Sequence, residues 1–91
     1  MADQRGVSII IPVFNEAENL GQLLDRLRSV LLPSWEIIVV DDGSTDGSSE
    51  IAEKRGARVI RHPYNIGNGA AIKNGIRAAR GKLLVFMDGD G

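Results

Sequence analysis

The sequence has no cysteine, a single histidine, one tryptophan, one tyrosine and three prolines among its 91 residues. Without cysteine there is neither a disulfide framework nor a thiolate metal site. No apolar run approaches the roughly 20 residues of a membrane-spanning helix. Met1–Gly6 form no apolar signal segment ahead of the first β-branched run, so a cytoplasmic location is expected. Neither sign of charge prevails: 11 basic against 12 acidic residues leave a net charge of −1, which gives no ground for nucleic-acid binding by charge. There is also no Gly-Lys-Ser/Thr to close a phosphate-binding P-loop. An apolar share of 43% and a charged share of 25% suit one globular domain, placed at 1–91.

What is present alternates between two periodicities. Val7-Ser8-Ile9-Ile10-Ile11-Pro12-Val13 is β-branched and nearly continuous, the mark of a strand covered on both faces. Pro12 cannot donate to a ladder, so pairing is expected to end near it. Asn15 then stands as a helix N-cap, with Glu18 three residues on to complete a capping box. Leu20, Leu23, Leu24, Leu27, Val30 and Leu31 form one apolar stripe at the helical period, ended by Pro33. Trp35–Val40 is a second strand, leading into Asp41-Asp42. A short helix over 48–54 is closed by Gly56, and Arg58–Arg61 is a third strand. Gly69–Arg80 is a third helix, with Ala71, Ile72, Ile76 and Ala79 inward and Lys73, Arg77 and Arg80 on a solvated face. Leu83–Met87 is a fourth strand, read as buried on both faces. Strand–helix alternation of this kind predicts an α/β domain: a parallel four-stranded sheet with helices on both faces. All strand ends then share one rim, where open α/β sheets bind ligands.

That rim is expected to carry Phe14-Asn15-Glu16, Asp41-Asp42, His62-Pro63 and Asp88-Gly89-Asp90. Residues two apart on extended chain point the same way, so Asp88 and Asp90 repel each other unless a cation lies between them. Mg²⁺ or Mn²⁺ held by two carboxylates and diphosphate oxygens answers that need; a solvated turn is the alternative. Asp41 and Asp42 are candidates for contact with a base or ribose, since nothing local requires two adjacent carboxylates. Ser44, Thr45 and Asp46 read as caps of the next helix. Asp42, Ser44, Asp46, Gly47 and Glu53 have the spacing of a calcium-binding EF-hand loop, but a strand precedes them where a helix is needed. Gly67-Asn68-Gly69 lacks the third glycine of a dinucleotide motif, Ile72 standing there. His62, before Pro63, reads as a turn residue.

Taken in order, Ile11-Pro12-Val13-Phe14-Asn15-Glu16, Val40-Asp41-Asp42-Gly43-Ser44-Thr45-Asp46, Asn65-Ile66-Gly67-Asn68-Gly69-Ala70 and Asp88-Gly89-Asp90 resemble the amino-terminal half of a family 2 inverting glycosyltransferase of GT-A fold. The likeness is greatest to the polyprenyl- and dolichyl-phosphate sugar transferases. The resemblance implies a nucleotide site at Pro12, Phe14, Asn15, Glu16, Asp41, Asp42, Asp88 and Gly89, and a Mg²⁺ or Mn²⁺ site at Asp88 and Asp90. It implies a UDP- or GDP-linked sugar as donor and an acceptor such as a polyprenyl phosphate. The parent enzyme would then lie at the cytoplasmic face of the membrane. Asn68 stands where many relatives carry lysine.

The family's acceptor half follows its Asp-x-Asp motif, so the chain is expected to be the donor-binding half, without a catalytic base and inactive by itself. Its fourth strand is then expected to lie near an edge and to promote self-association into a homo-oligomer. Other readings compete. One is a non-catalytic, self-associating α/β domain. A nucleotidyltransferase-like enzyme would require a basic glycine-rich loop after the first strand, which Phe14-Asn15-Glu16 is not. A phosphatase of the haloacid-dehalogenase type shares the strand-Asp-x-Asp-Gly pattern, but there it usually opens the domain.

Overall fold

The β-branched run at the start of the chain forms β1 (Val7–Val13), and both of its faces are covered. Around it stand α1 (Ala17–Val30), β2 (Glu36–Asp41), α2 (Ser48–Lys54), β3 (Arg58–Arg61), α3 (Asn68–Ala78) and β4 (Leu83–Phe86). These elements come from a computed structural model that describes residues 6–31 and 33–87. The strands form one sheet in the order β3-β2-β1-β4, every neighbouring pair parallel. The parallel arrangement is the one that the strand–helix alternation predicts, and it is the Rossmann-like, GT-A fold that the resemblance implies.

Within the continuous apolar strands, side chains still alternate between faces. Ile9, Ile11 and Val13 of β1 join Ile37 and Val39 of β2 on one face, against Leu20, Leu24 and Leu27 of α1 and Ala52 of α2. Ile10, Ile38 and Val40 point to the other face and meet Ala71 of α3. The second layer is close because α3 is small where it touches the sheet. A Cβ on Gly75 would fall 2.4 Å from Ile10 Cγ2 and 3.3 Å from Val40 Cγ2.

Several local expectations change. Asn15 is not the N-cap of α1; it has a left-handed φ of 54°, and Glu16 holds the cap position without a side-chain cap. The cap comes instead from another loop: the Ala17 N–H donates to Asp46 Oδ2 at 3.0 Å. Pairing does not stop at Pro12 on both sides. The β1–β2 register runs through Val13↔Asp41, whereas β1–β4 pairing ends at Ile10↔Phe86. The Ile10 carbonyl accepts from Met87 and the Val13 carbonyl from Asp42. Since hydrogen-bonding direction alternates along a strand, the nitrogen of Pro12 falls on the β4 side, where pairing among the described residues does not reach it.

In α3 the buried residues are Ala71 and Gly75, while Ile76 is exposed, because the helix turns its smallest side chains toward the strands. β4 is not buried on both faces: Leu83 and Phe86 are 59% and 48% exposed, as befits the last strand of the sheet among the described residues. α2 behaves as expected. Gly56 takes a φ of 83°, and the N–H groups of Gly56 and Ala57 close on the carbonyls of Glu53 and Ala52, a Schellman end.

At the rim opposite the strand exits, Glu36 ties four segments together. Its Oε2 accepts from Ser8 Oγ and the Arg80 N–H, both at 2.6 Å, and its Oε1 accepts from Arg58 at 3.1 Å. Ser8 Oγ in turn accepts from the Gly81 N–H at 2.7 Å. These bonds fix the entry to β4 beside β1.

Gly75→Ala is expected to destabilise the chain by about 1–3 kcal/mol through overpacking against Ile10. Gly69→Ala, whose Cβ would meet nothing within 4 Å, is expected to be neutral or stabilising. Urea denaturation of the two variants checks the contrast.

Candidate functional site

The exits of β1, β2 and β3 meet at one rim, and three loops interlock there. The first joint lies between the β1–α1 and β2–α2 loops. Asn15 donates its N–H to Ser44 Oγ at 2.7 Å and accepts the Thr45 N–H on its side-chain oxygen at 2.9 Å. The Glu16 N–H donates to Ser48 Oγ at 3.1 Å. Asp46 serves both helices: Oδ2 caps α1, while Oδ1 accepts the Ser48 N–H at 3.1 Å and the Ser48 hydroxyl at 2.6 Å. The capping role expected of Asp46 is therefore present, and extends to a helix 29 residues away in sequence.

The second joint brings the β3–α3 loop over the end of β2. Gly43, at a φ of +85°, passes so close to that loop that a Cβ would sit 2.5 Å from the Tyr64 carbonyl carbon. Asp42 is buried and accepts three hydrogen bonds: from the His62 ring at 2.7 Å, the Ile66 N–H at 2.9 Å and the Gly67 N–H at 2.8 Å. Asp41 is equally buried, accepting from the Ser44 N–H at 2.8 Å and from the Ser49 hydroxyl. The premise that nothing local needs adjacent carboxylates is thus corrected: each organises a loop.

Burial alone would raise the Asp42 carboxyl pKa, but the bonds from His62, Ile66 and Gly67 outweigh it and hold the group below the ordinary carboxylate range. Asp46 is also lowered, chiefly by the Ser48 hydroxyl bond. Glu36, at the opposite rim, is lowered because its bonds from Ser8, Arg80 and Arg58 exceed the cost of burial.

Between these loops lies a pocket of about 190 Å³, lined by Pro12, Val13, Phe14, Asp42, Asn65, Gly67 and Asn68. Of the residues expected at a nucleotide site, Pro12, Phe14 and Asp42 line it, whereas Asn15 and Asp41 lie behind it as loop ties. Glu16 starts α1, its carbonyl accepting from Asn19 and Leu20. Asp88, Gly89 and Asp90 lie outside the described residues. Asn65, Gly67 and Asn68, absent from the expected nucleotide site and known from the sequence as a turn motif with Asn68 in the place of a lysine, here form a wall of the pocket. His62 is no surface turn residue: it is buried, with Nδ1 against Asp42 and Nε2 2.7 Å from the Asn74 side-chain nitrogen. The signal available for it was position, one residue past β3 on the rim that carries Asp41-Asp42.

Among the described residues no group of three or more His, Asp or Glu side chains could hold a metal ion. The EF-hand spacing gives no such site, since Asp42 turns to the 62–67 loop and Asp46 to α1 and Ser48.

A parallel sheet with helices on both faces and a pocket at the strand exits is the architecture of a Rossmann-like α/β domain. The chain belongs to glycosyl transferase family 2, whose model matches residues 8–91. It is 38% identical over 93 residues to a dodecaprenyl-phosphate galacturonate synthase of Rhizobium johnstonii, covering 92% of this chain and 28% of that protein. Its fold superposes with a TM-score of 0.85 on a mannosyltransferase from Pyrobaculum calidifontis solved with GDP-Man and Mn²⁺, at 27% identity over 92% of this chain and 27% of that one. A glucosyl-3-phosphoglycerate synthase from Mycobacterium tuberculosis, solved with Mn²⁺, UDP and glucosyl-3-phosphoglycerate, gives 0.82 at 30% identity, over 97% of this chain and 35% of that one. The chain thus spans about a third or less of the length of these relatives.

The three lowered carboxyls give stability a definite pH dependence. Each folded pKa lies below its unfolded value, so the contribution is fully present above about pH 4 and is lost as pH falls through the depressed folded values. Acid titration of the unfolding free energy is expected to show this downward slope. Asp42→Asn is expected to flatten it and to cost about 1–3 kcal/mol at neutral pH, because an amide cannot accept all the bonds the carboxylate does.

Proposed function

We propose that this chain is the donor-binding part of an inverting glycosyltransferase that takes a UDP- or GDP-linked sugar with Mg²⁺ or Mn²⁺. The observation that carries the proposal is the rim pocket. It joins the β1 exit, Asp42 and the 65–68 loop in a family 2 chain whose structural relatives were solved with GDP-Man or UDP and Mn²⁺. At about 190 Å³ it is smaller than a site for a whole nucleotide-sugar, and suits one flat group such as the base. Phe14, 46% exposed at its edge, offers an apolar surface to such a ring. Asp42 offers a carboxylate edge to a base N–H or a ribose hydroxyl.

Asp88 and Asp90 are the residues proposed to hold the metal, with Gly89 beside the nucleotide. The chemistry supplied by a bound divalent ion is neutralisation of the diphosphate as the sugar leaves it. Transfer itself is proposed for an enzyme of the relatives' length, with a polyprenyl phosphate as the acceptor class that the Rhizobium relative's name suggests. A lipid acceptor would place that enzyme at the cytoplasmic membrane face; no helix among the described residues is long and apolar enough to cross a membrane. For this chain, 1–91 as one domain, we propose nucleotide-sugar binding without turnover.

One observation favours a second reading, that of a self-associating domain. β4 is the outermost strand among the described residues, and Leu83 and Phe86 are about half exposed on it. Sedimentation over a wide concentration range is expected to show a homo-oligomer that Phe86→Lys disperses; a monomer at every concentration would exclude that reading.

Thermal denaturation with UDP or GDP, each with and without Mn²⁺, tests the donor site. One nucleotide at about 100 times its Kd is expected to stabilise the chain by about 2.7 kcal/mol. The metal-dependent part of that gain is expected to vanish in Asp88→Ala/Asp90→Ala. No shift with either nucleotide would refute the donor-binding proposal.

A further inference from the structure

The pocket wall at Asn65–Gly67 has no regular structure of its own before α3 begins at Asn68, and its geometry depends on one buried anion. Asp42 takes the N–H groups of both Ile66 and Gly67. Neither bond has the right direction unless the carboxylate is held in one rotation about its Cβ–Cγ bond. That rotation is fixed by His62, whose Nδ1 lies 2.7 Å from Asp42 Oδ1, both side chains being more than nine-tenths buried. The ring is itself held from behind. The side-chain nitrogen of Asn74, on α3, faces Nε2 at 2.7 Å. The Asp42 carboxylate only accepts, so a proton sits on Nδ1 aimed at it, which leaves Nε2 of the neutral ring to accept from the Asn74 amide nitrogen.

We infer that His62 and Asn74 are positioning residues for the donor pocket: Asn74 sets the His62 tautomer, His62 orients Asp42, and Asp42 holds the loop that walls the pocket. The inference rests on the donor-binding reading of that pocket. It connects α3, the β3 exit and the β2 exit in one line of hydrogen bonds, none of which reaches the ligand except through Asp42. The pocket-facing side of Asp42 is thereby presented in a fixed orientation. Asn65 and Asn68, on either side of the tethered Ile66 and Gly67, are likewise held at the pocket.

The test uses the fact that His62 is the sole histidine. Long-range ¹H–¹⁵N correlation spectra of the chain at neutral pH are expected to show the Nδ1–H tautomer. A ring protonated only at Nε2 would overturn the inference without touching the donor-binding proposal. Binding of UDP and GDP with Mn²⁺ is then measured for the wild type and for His62→Ala, His62→Asn and His62→Gln.

The Asn amide nitrogen sits near the place of Nδ1, and that of Gln near Nε2. His62→Ala and His62→Gln are therefore expected to weaken nucleotide binding about tenfold, the scale of a lost hydrogen bond to a charged group, and His62→Asn to recover most of it. A merely structural role would rank the variants by lost volume and stability, which urea denaturation reports separately. Equal affinity in all four proteins, or recovery by Gln and not by Asn, would overturn the inference alone. Failure of the wild type to bind either nucleotide would overturn the donor-binding reading and this inference together.

Discussion

A carboxylate buried at the end of a strand is costly unless its oxygens are satisfied, and the rim of this domain is built around satisfying one. Asp42 draws in the His62 ring and the backbone of Ile66 and Gly67. In doing so it fixes the β3 exit and the start of α3 relative to β2. Without those donors the anion would be stranded, and the 62–68 loop would have no reason to lie against Gly43. The same residue faces the pocket, so the interaction that closes the loop also shapes the site.

A parallel logic joins the other side of the rim. The first N–H groups of a helix have no partner within it. α1 meets that need with Asp46, a residue of the next loop, and α2 uses the other oxygen of the same carboxylate. Asn15, in a left-handed conformation that its short polar side chain tolerates, completes the joint with Ser44 and Thr45. The strand exits are thereby tied to one another by bonds between side chain and backbone. The pocket between them is framed before any ligand arrives.

Membership of glycosyl transferase family 2 gives these ties a meaning that the fold alone does not. The chain covers a small share of its relatives' length, and that share contains the rim proposed here as the donor site. Exposed Leu83 and Phe86 on β4 fit a strand that a longer sheet or a second copy would cover.

How much of this was legible beforehand follows from where the information lies. The extents of β1, α2 and β3, the parallel sheet, the family motifs and the α1 stripe as far as Leu27 could be read from the sequence, because period-two and period-3.6 patterns are local; Val30, counted in that stripe, is 76% exposed at the helix end. Nothing local ranks Gly75 above Ile76 as the buried residue of α3; that choice belongs to Ile10 on the facing strand. Nothing local reports that β4 is outermost among the described residues, so its apolar run read as a central strand, and the expectation of an edge came only from the resemblance. The cap of α1 lies 29 residues from the helix it serves, and the Asp42–His62 bond spans 20 residues. Hydrogen bonds of that separation have no periodic signature, so a lone histidine before a proline showed its place on the rim but not its burial against Asp42. Elements were decided by the sequence through its short-range periodicity. The partners of each buried polar group were decided by the tertiary structure, because only packing brings donors and acceptors from distant loops within bonding distance.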